Sequence, residues 1–506
     1  MANRIIEPGK LDLDLLREFF FAPFTIELSH GSWENVARSQ AVVVDLLEKG
    51  DSIYGLNTGF GLLANKRIPN ADLEQLQLNI VRSHCAGVGE LLNDNIVRMI
   101  MLLKLASLAR GYSGVRPVVI ETLVACLNAG VIPCIPSKGS VGASGDLAPL
   151  SHMSLALIGE GEVRVDGHIV PAAEALQRNN IQPLTLGPKE GLALLNGTQV
   201  STALALAGLF EAQRCFRAAV VAGAISVDAA MGSDTPFDPR IHEIRNHPAQ
   251  IDCAKMYRDL LSGSEIRQSH RDCSRVQDPY SLRCQPQVMG ACLELLRHAS
   301  EVLTRESNAV SDNPLVFFDD NSILSGGNFH AEPVAMAADQ IAIATAEIGS
   351  LSERRIALLI DQHLSELPSF LVRDGGLNSG FMIPQVTAAA LASENKHLAA
   401  AVSVDSLPTS ANQEDHVSMA TYAAKRLEPM NDNTSNIVAI EILAACQGID
   451  FRQPLKTSLE LQKVHDKVRS FVASYETDRP FHHDIEKIKT EIVQSNFLTS
   501  GQTWNR

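Results

Sequence analysis

Residues Pro333–Leu351 read "PVAMAADQIAIATAEIGSL", with Val334, Ile341 and Ile348 recurring every seven residues and Ala337, Ala344 and Leu351 forming a second row. At 3.6 residues per turn, positions seven apart share one face of a helix. Pro333 suits a first helical turn, where its missing N–H is no loss. Small side chains let helices approach closely, and an alanine-rich seam is what a tight bundle requires. The segment predicts a long helix packed inside a bundle.

Helical signals continue outward. Glu190 to Thr235 contains no proline and is rich in alanine, which predicts one or more long helices. In "NDNIVRMIMLLKLASLARGYSG" (Asn93–Gly114), Asp94 is placed to cap a helix, Ile96, Ile100 and Leu103 share a face, and Gly111 is placed to end it. Strand signals are few; the clearest is a small hairpin in "GEVRVDGHIVPAAEAL" (Gly161–Leu176), turning at Asp166-Gly167. There is no repeat of fixed period and no low-complexity tract. The fold expected is all-α. The composition changes near residue 195, so we expect a mixed, mostly helical domain over 1–195 and a long-helix bundle over 196–506.

The chain has 506 residues, a net charge of −15 and only 5% aromatic residues. That charge argues against nucleic acid, whose phosphates need a basic footprint, and against an anionic membrane surface. Nine cysteines without a CxxC pair read as reduced thiols of a cytosolic protein. The N-terminus interleaves charge with apolar residues and does not read as a signal peptide. Val200 to Ala230, although apolar, carries Glu211, Arg214 and Arg217 and makes a poor membrane span. A soluble, cytoplasmic protein is expected.

The chemistry concentrates in "PSKGSVGASGDLAPLSH" (Pro136–His152), where Gly139, Gly142 and Gly145 stand three apart and Ser144 lies between the last two. The segment is not GxSxG, not a phosphate-binding GxxxxGK[ST], and not GxGxxG. His482-His483-Asp484 lacks the spacing of a zinc protease site, and no metal site is expected. The tripeptide Ala143-Ser144-Gly145 has a chemistry of its own. If the backbone folds back, the Gly145 nitrogen can attack the Ala143 carbonyl carbon and close a five-membered ring. Loss of that oxygen as water, and of the Ser144 hydroxyl as a second water, leaves a methylidene-imidazolone, a strong electrophile. Peptide resonance opposes this, so the fold must strain the loop and hold it.

Dense polar clusters recur between the apolar helices. They are "YGLNTGFG" (Tyr54–Gly61), "SHCAGVGE" (Ser83–Glu90), "LLNGTQ" (Leu194–Gln199), "VQDPYSLRCQPQ" (Val276–Gln287), "GGNFHAEP" (Gly326–Pro333) and "NQEDHVSM" (Asn412–Met419). Taken singly, each reads as a satisfied turn. His84 and His416 read as hydrogen-bonded structural histidines, Glu414 as part of a solvated helix start, and Cys273 as an exposed thiol.

Taken together, "GSVGASGDLAPLSHMSLALIGEGE" and these clusters resemble the aromatic amino acid ammonia-lyase family over nearly the whole chain. The resemblance implies a methylidene-imidazolone formed autocatalytically from Ala143-Ser144-Gly145, with no metal or dissociable cofactor. It implies an all-α homotetramer whose active sites combine loops from several subunits. Within the family, the presence of both His84 and Glu414 points to the branch that converts L-histidine to trans-urocanate and ammonia. On that reading Arg283 grips the substrate carboxylate, His84 and Glu414 flank the imidazole, and Phe329 packs on the ring. Asn196 and Gln277 orient the amine, the carboxylate or the imidazolone oxygen; Tyr54 is the base for the β-proton, assisted by Tyr280. Cys85 stands where a smaller residue is expected. A phenylalanine or tyrosine lyase or aminomutase with the same group, or an inactive scaffold in which Ser144 is only a loop serine, are the competing readings.

Overall fold

The computed structural model describes residues 3–49, 56–59, 61, 65–271 and 276–495. Helices dominate, and the strands among the described residues are short pairs or a trio. The all-α expectation holds. The chain forms two compact units: Met1–Gly208 with Ala299–Asp339 and Ala401–Lys425, and Leu209–His298 with Gln340–Ala400 and Arg426–Arg506.

The opening segment is a helix over Glu332–Ile360, and its two seven-residue rows, from Val334 to Ile348 and from Ala337 to Leu351, are buried throughout. It is the one described helix long and apolar enough to cross a membrane, and 72% of its apolar window is buried within the protein. In the second unit Ile356 packs with Ala388, Ala392, Ile437 and Ile440 of the helices Met382–Leu398 and Leu427–Phe451. Gly349 makes the approach possible: a Cβ there would stand 3.2 Å from Ile437 Cδ1 and from Thr434 Oγ1. The Leu427–Phe451 helix is buried on all sides over Ile437–Ile449, as a helix apolar all round must be. Its one buried acid, Glu441, is paired with buried Arg355 at 2.5 and 2.8 Å and takes further hydrogen bonds from Ser226 and Ser352, so neither charge is left uncompensated.

The Glu190–Thr235 expectation resolves into helices Glu190–Leu195 and Gln199–Ala229. The hairpin is Glu162–Val165 against His168–Pro171, with Asp166 and Gly167 both at positive φ, the twist a two-residue turn requires. One cap differs from expectation. Asn93 holds the extended cap position of helix Asp94–Leu108, while Asp94 is its first residue and ion-pairs with Arg164 at 2.6 Å. The eight described cysteines are all free thiols.

Candidate active site

In the first unit three helices, Leu73–His84, Leu147–Leu157 and Glu190–Leu195, pack on one another. The fit is close because position 191 is glycine; a Cβ there would lie 2.6 Å from the Gln77 carbonyl oxygen. Gln77 Oε1 in turn accepts from the Leu192 amide at 3.1 Å. The first helix ends on His84, the third ends at Asn196, and the second begins just after the Ala-Ser-Gly loop.

That loop is clamped at both ends. Gly142 and Gly145 sit at φ +65° and +75°, where L side chains are strained. At Gly145 a Cβ would stand 2.5 Å from the Gly197 carbonyl carbon, and at Gly142 it would run into Ser418 Oγ. Ser418 Oγ donates to the Gly142 carbonyl at 3.0 Å, and the Met419 amide to that of Val141 at 2.8 Å. On the other side the Asp146 amide donates to the Gly197 carbonyl at 2.7 Å. The Asp146 carboxylate is fully buried and accepts from Ser140 Oγ, Thr421 Oγ1 and both the amide and hydroxyl of Ser201, at 2.7–2.9 Å. A buried carboxylate so satisfied is a rigid anchor.

Ala143 and Ser144 line a pocket of about 890 Å³ together with His84, Asn196, Phe329 and Glu414. Six of the residues singled out in the sequence thus share one cavity; Gly145 is buried against Gly197. Ser144 Oγ donates to Glu414 Oε1 at 2.6 Å, while Thr409 Oγ1 and Ser410 Oγ donate to Oε2 at 2.7 Å each. Glu414 does not start a helix. It closes a tight loop through mutual backbone hydrogen bonds with Thr409 at 2.9 and 3.3 Å. Ser410, Ala411 and Asn412 within the loop all lie at positive φ, an uncommon run for non-glycine residues. Burial works against the Glu414 charge, but the three hydroxyls and nearby His84 outweigh it and hold the carboxyl below its ordinary value. Burial lowers His84, more than the Ile80 carbonyl and the Glu414 charge raise it. At neutral pH the pocket therefore presents a carboxylate and a neutral imidazole.

Asn196 donates Nδ2 to the Asn313 carbonyl at 3.3 Å and leaves Oδ1 buried without a partner. Gln277, Tyr280 and Arg283 belong to the second unit, where Arg283 lies 4.7 Å over the Tyr280 ring and Tyr280 is 70% exposed. Tyr54 and Cys273 lie outside the described residues. Cys85 is a half-buried thiol 3.2 Å from Ser151 Oγ, pushed up by burial and so kept neutral. Sequence reading missed Thr409 and Ser410, which hold Glu414, and Lys104, a lone cation in the apolar run Met99–Leu108. It read His416 as structural and did not join it to His330 and Glu332, although the potential ligand atoms of the three lie within 4.8 Å of one another; both histidines line the pocket.

Clamping an Ala-Ser-Gly loop beside a carboxylate and an imidazole, this helical scaffold is, by its family and its relatives, that of a carbon–nitrogen lyase. The chain belongs to the aromatic amino acid lyase family, whose model matches residues 11–470. Among its relatives, the histidine ammonia-lyase of Vibrio cholerae is 60% identical over 488 residues, 96% of each chain. That of Idiomarina loihiensis is 59% identical over 99% of this chain and 98% of its own. The crystal structure of histidine ammonia-lyase from Trypanosoma cruzi superimposes with a TM-score of 0.91 at 40% identity, covering 98% of this chain and 94% of that one.

Proposed function

We propose that this chain removes ammonia from L-histidine to give trans-urocanate, using a methylidene-imidazolone made from Ala143, Ser144 and Gly145. The observation that carries the reading is the 2.6 Å hydrogen bond from Ser144 to Glu414 in a pocket shared with His84. It joins the precursor of the electrophile to a pair of groups suited to an imidazole. The residues fit the group: both flanking glycines occupy positions that a Cβ would obstruct, and the loop is tied down on each side. Once formed, the ring supplies an electrophilic methylene that draws electrons from the substrate and so makes ammonia a feasible leaving group.

The chain's own residues do the rest. When the Ser144 hydroxyl leaves, Glu414 Oε1 loses its donor, and the N–H of a substrate imidazole replaces it. His84, neutral at working pH, meets the other ring nitrogen. Phe329 packs against the ring. The unpaired Asn196 Oδ1 accepts from the substrate amine, and Gln277 orients the amine, the carboxylate or the imidazolone oxygen. Arg283 holds the carboxylate through two parallel hydrogen bonds. Tyr54 takes the β-proton, with Tyr280 positioning or relaying it. We further propose a cytoplasmic homotetramer with sites shared between subunits. The exposed apolar residues Leu377, Ile383 and Val386 support an interface in the second unit.

The test is twofold. Intact mass must show the chain lighter by two waters, and kcat/KM must favour L-histidine strongly over L-phenylalanine and L-tyrosine. Comparable rates on all three would remove the histidine assignment and leave the prosthetic group; a full-mass chain would remove both.

A further inference from the structure

Lys104 is the only charged side chain in the run Met99–Leu108, is 1% exposed, and has no role in the chemistry above. Its Nζ donates to the carbonyl oxygen of Asn196. The next carbonyl, that of Gly197, accepts the Asp146 amide at 2.7 Å, and Gly145 forms a parallel bridge with Gly197. The Asn196–Gly197 segment is therefore the wall against which the C-terminal end of the tripeptide is pressed, and Lys104 holds that wall from behind. Burial lowers Lys104 to about 7, with Asp312 and Asp146 raising it and Lys189 lowering it, and Lys189 pairs with Asp312 at 2.7 Å. With Asp312 taken by Lys189, the Asn196 carbonyl is the one hydrogen-bond acceptor that Lys104 Nζ engages among the described residues.

Resting on the prosthetic-group reading, we propose that Lys104 is a positioning residue for ring closure, acting through the Asn196 carbonyl. In that closure the Gly145 nitrogen forms a bond to the Ala143 carbonyl carbon, and its proton passes to the oxygen. The resulting hydroxyl leaves as water with the Ser144 amide proton, giving a C=N bond. The Ser144 hydroxyl then leaves as water with the Ser144 α-proton, giving the exocyclic C=C. Each step conserves atoms and electrons and needs no oxidant. The first step requires the Gly145 nitrogen to be held against the Ala143 carbon, and that is the geometry a loosened Gly197 wall would lose.

The experiment follows loss of two waters by mass spectrometry in chains made by cell-free synthesis and sampled over time. Wild type, Lys104→Met and Lys104→Gln are compared, with circular dichroism as the folding check. Methionine fills the space without a donor; glutamine keeps an N–H for Asn196 but not the charge. We expect Lys104→Met to fold and to lose water at least tenfold more slowly, and Lys104→Gln to stay within about threefold of wild type. Wild-type speed in Lys104→Met, or a folded Lys104→Gln as slow as a tenfold loss, would overturn the inference while sparing the reading beneath it. Should Lys104→Met not fold, the glutamine variant alone decides by the same limits. A wild-type chain that never loses water would overturn the prosthetic-group reading itself, and this inference with it.

Discussion

Glu414→Gln keeps size and shape but changes which atoms face the pocket. Glu414 Oε2 is held by two donors, Thr409 Oγ1 and Ser410 Oγ, each at 2.7 Å. In glutamine only one terminal atom accepts, and two hydroxyl donors will claim it. The NH₂ then points where Oε1 now stands, toward Ser144 and, after ring closure, toward the substrate imidazole N–H. Donor faces donor. A hydrogen bond to a charged group contributes about 1.5–3 kcal/mol, and leaving a buried donor unpaired costs about 1–3 kcal/mol more. The sum, about 2.5–6 kcal/mol, predicts a fall in kcat/KM for L-histidine of roughly 10²–10⁴-fold. The slow rate with L-phenylalanine, which has no N–H to lose, should barely move. The assay is steady-state kinetics with both amino acids on parent and variant. Intact mass shows that both are mature, since Glu414 also touches Ser144 in the uncyclised chain. A loss below tenfold in a fully mature variant, or an equal loss with phenylalanine, would refute the argument.

Ser144→Ala should fold and assemble yet lose nearly all turnover, because no β-hydroxyl remains to leave; near-native turnover would sink the cofactor reading. Arg283→Lys should raise KM and lower kcat together, as a point charge replaces a planar fork; unchanged kinetics would free Arg283 of that role. Dialysis against a strong chelator should leave activity within about twofold; complete loss restored only by added metal would direct attention to His330, Glu332 and His416. Asp228 is fully buried, and burial pushes its carboxyl up to about 6 against the hydrogen bond from Thr457. Because the folded value lies above the unfolded one, its contribution is full below about pH 4 and is lost as pH rises through about 6, by about 3 kcal/mol. Denaturant titrations should show Asp228→Asn gaining on the parent across that window; parallel pH profiles would contradict it.

Much of the fold was legible because periodicity is local. The rows from Val334 to Ile348 and from Ala337 to Leu351 had only to be counted, and they are buried as counted. The Asp166-Gly167 turn needed only two residues to declare itself. The tripeptide was legible for a different reason: its chemistry is intrinsic to Ala, Ser and Gly in that order. Caps were less so, since Asn93 and Asp94 both suit a helix start and the contact with Arg164 decides where Asp94 belongs. What sequence could not assign was the company each polar residue keeps. Residues 299–339 and 401–425 return to the first unit after long excursions, and only that return sets Glu414 2.6 Å from Ser144, 270 positions away. Hydrogen bonds act over about 3 Å in space and carry no trace of separation along the chain. Lys104 shows the same limit: in sequence it interrupts an apolar helix, and its purpose appears only where the Asn196 carbonyl arrives beside it.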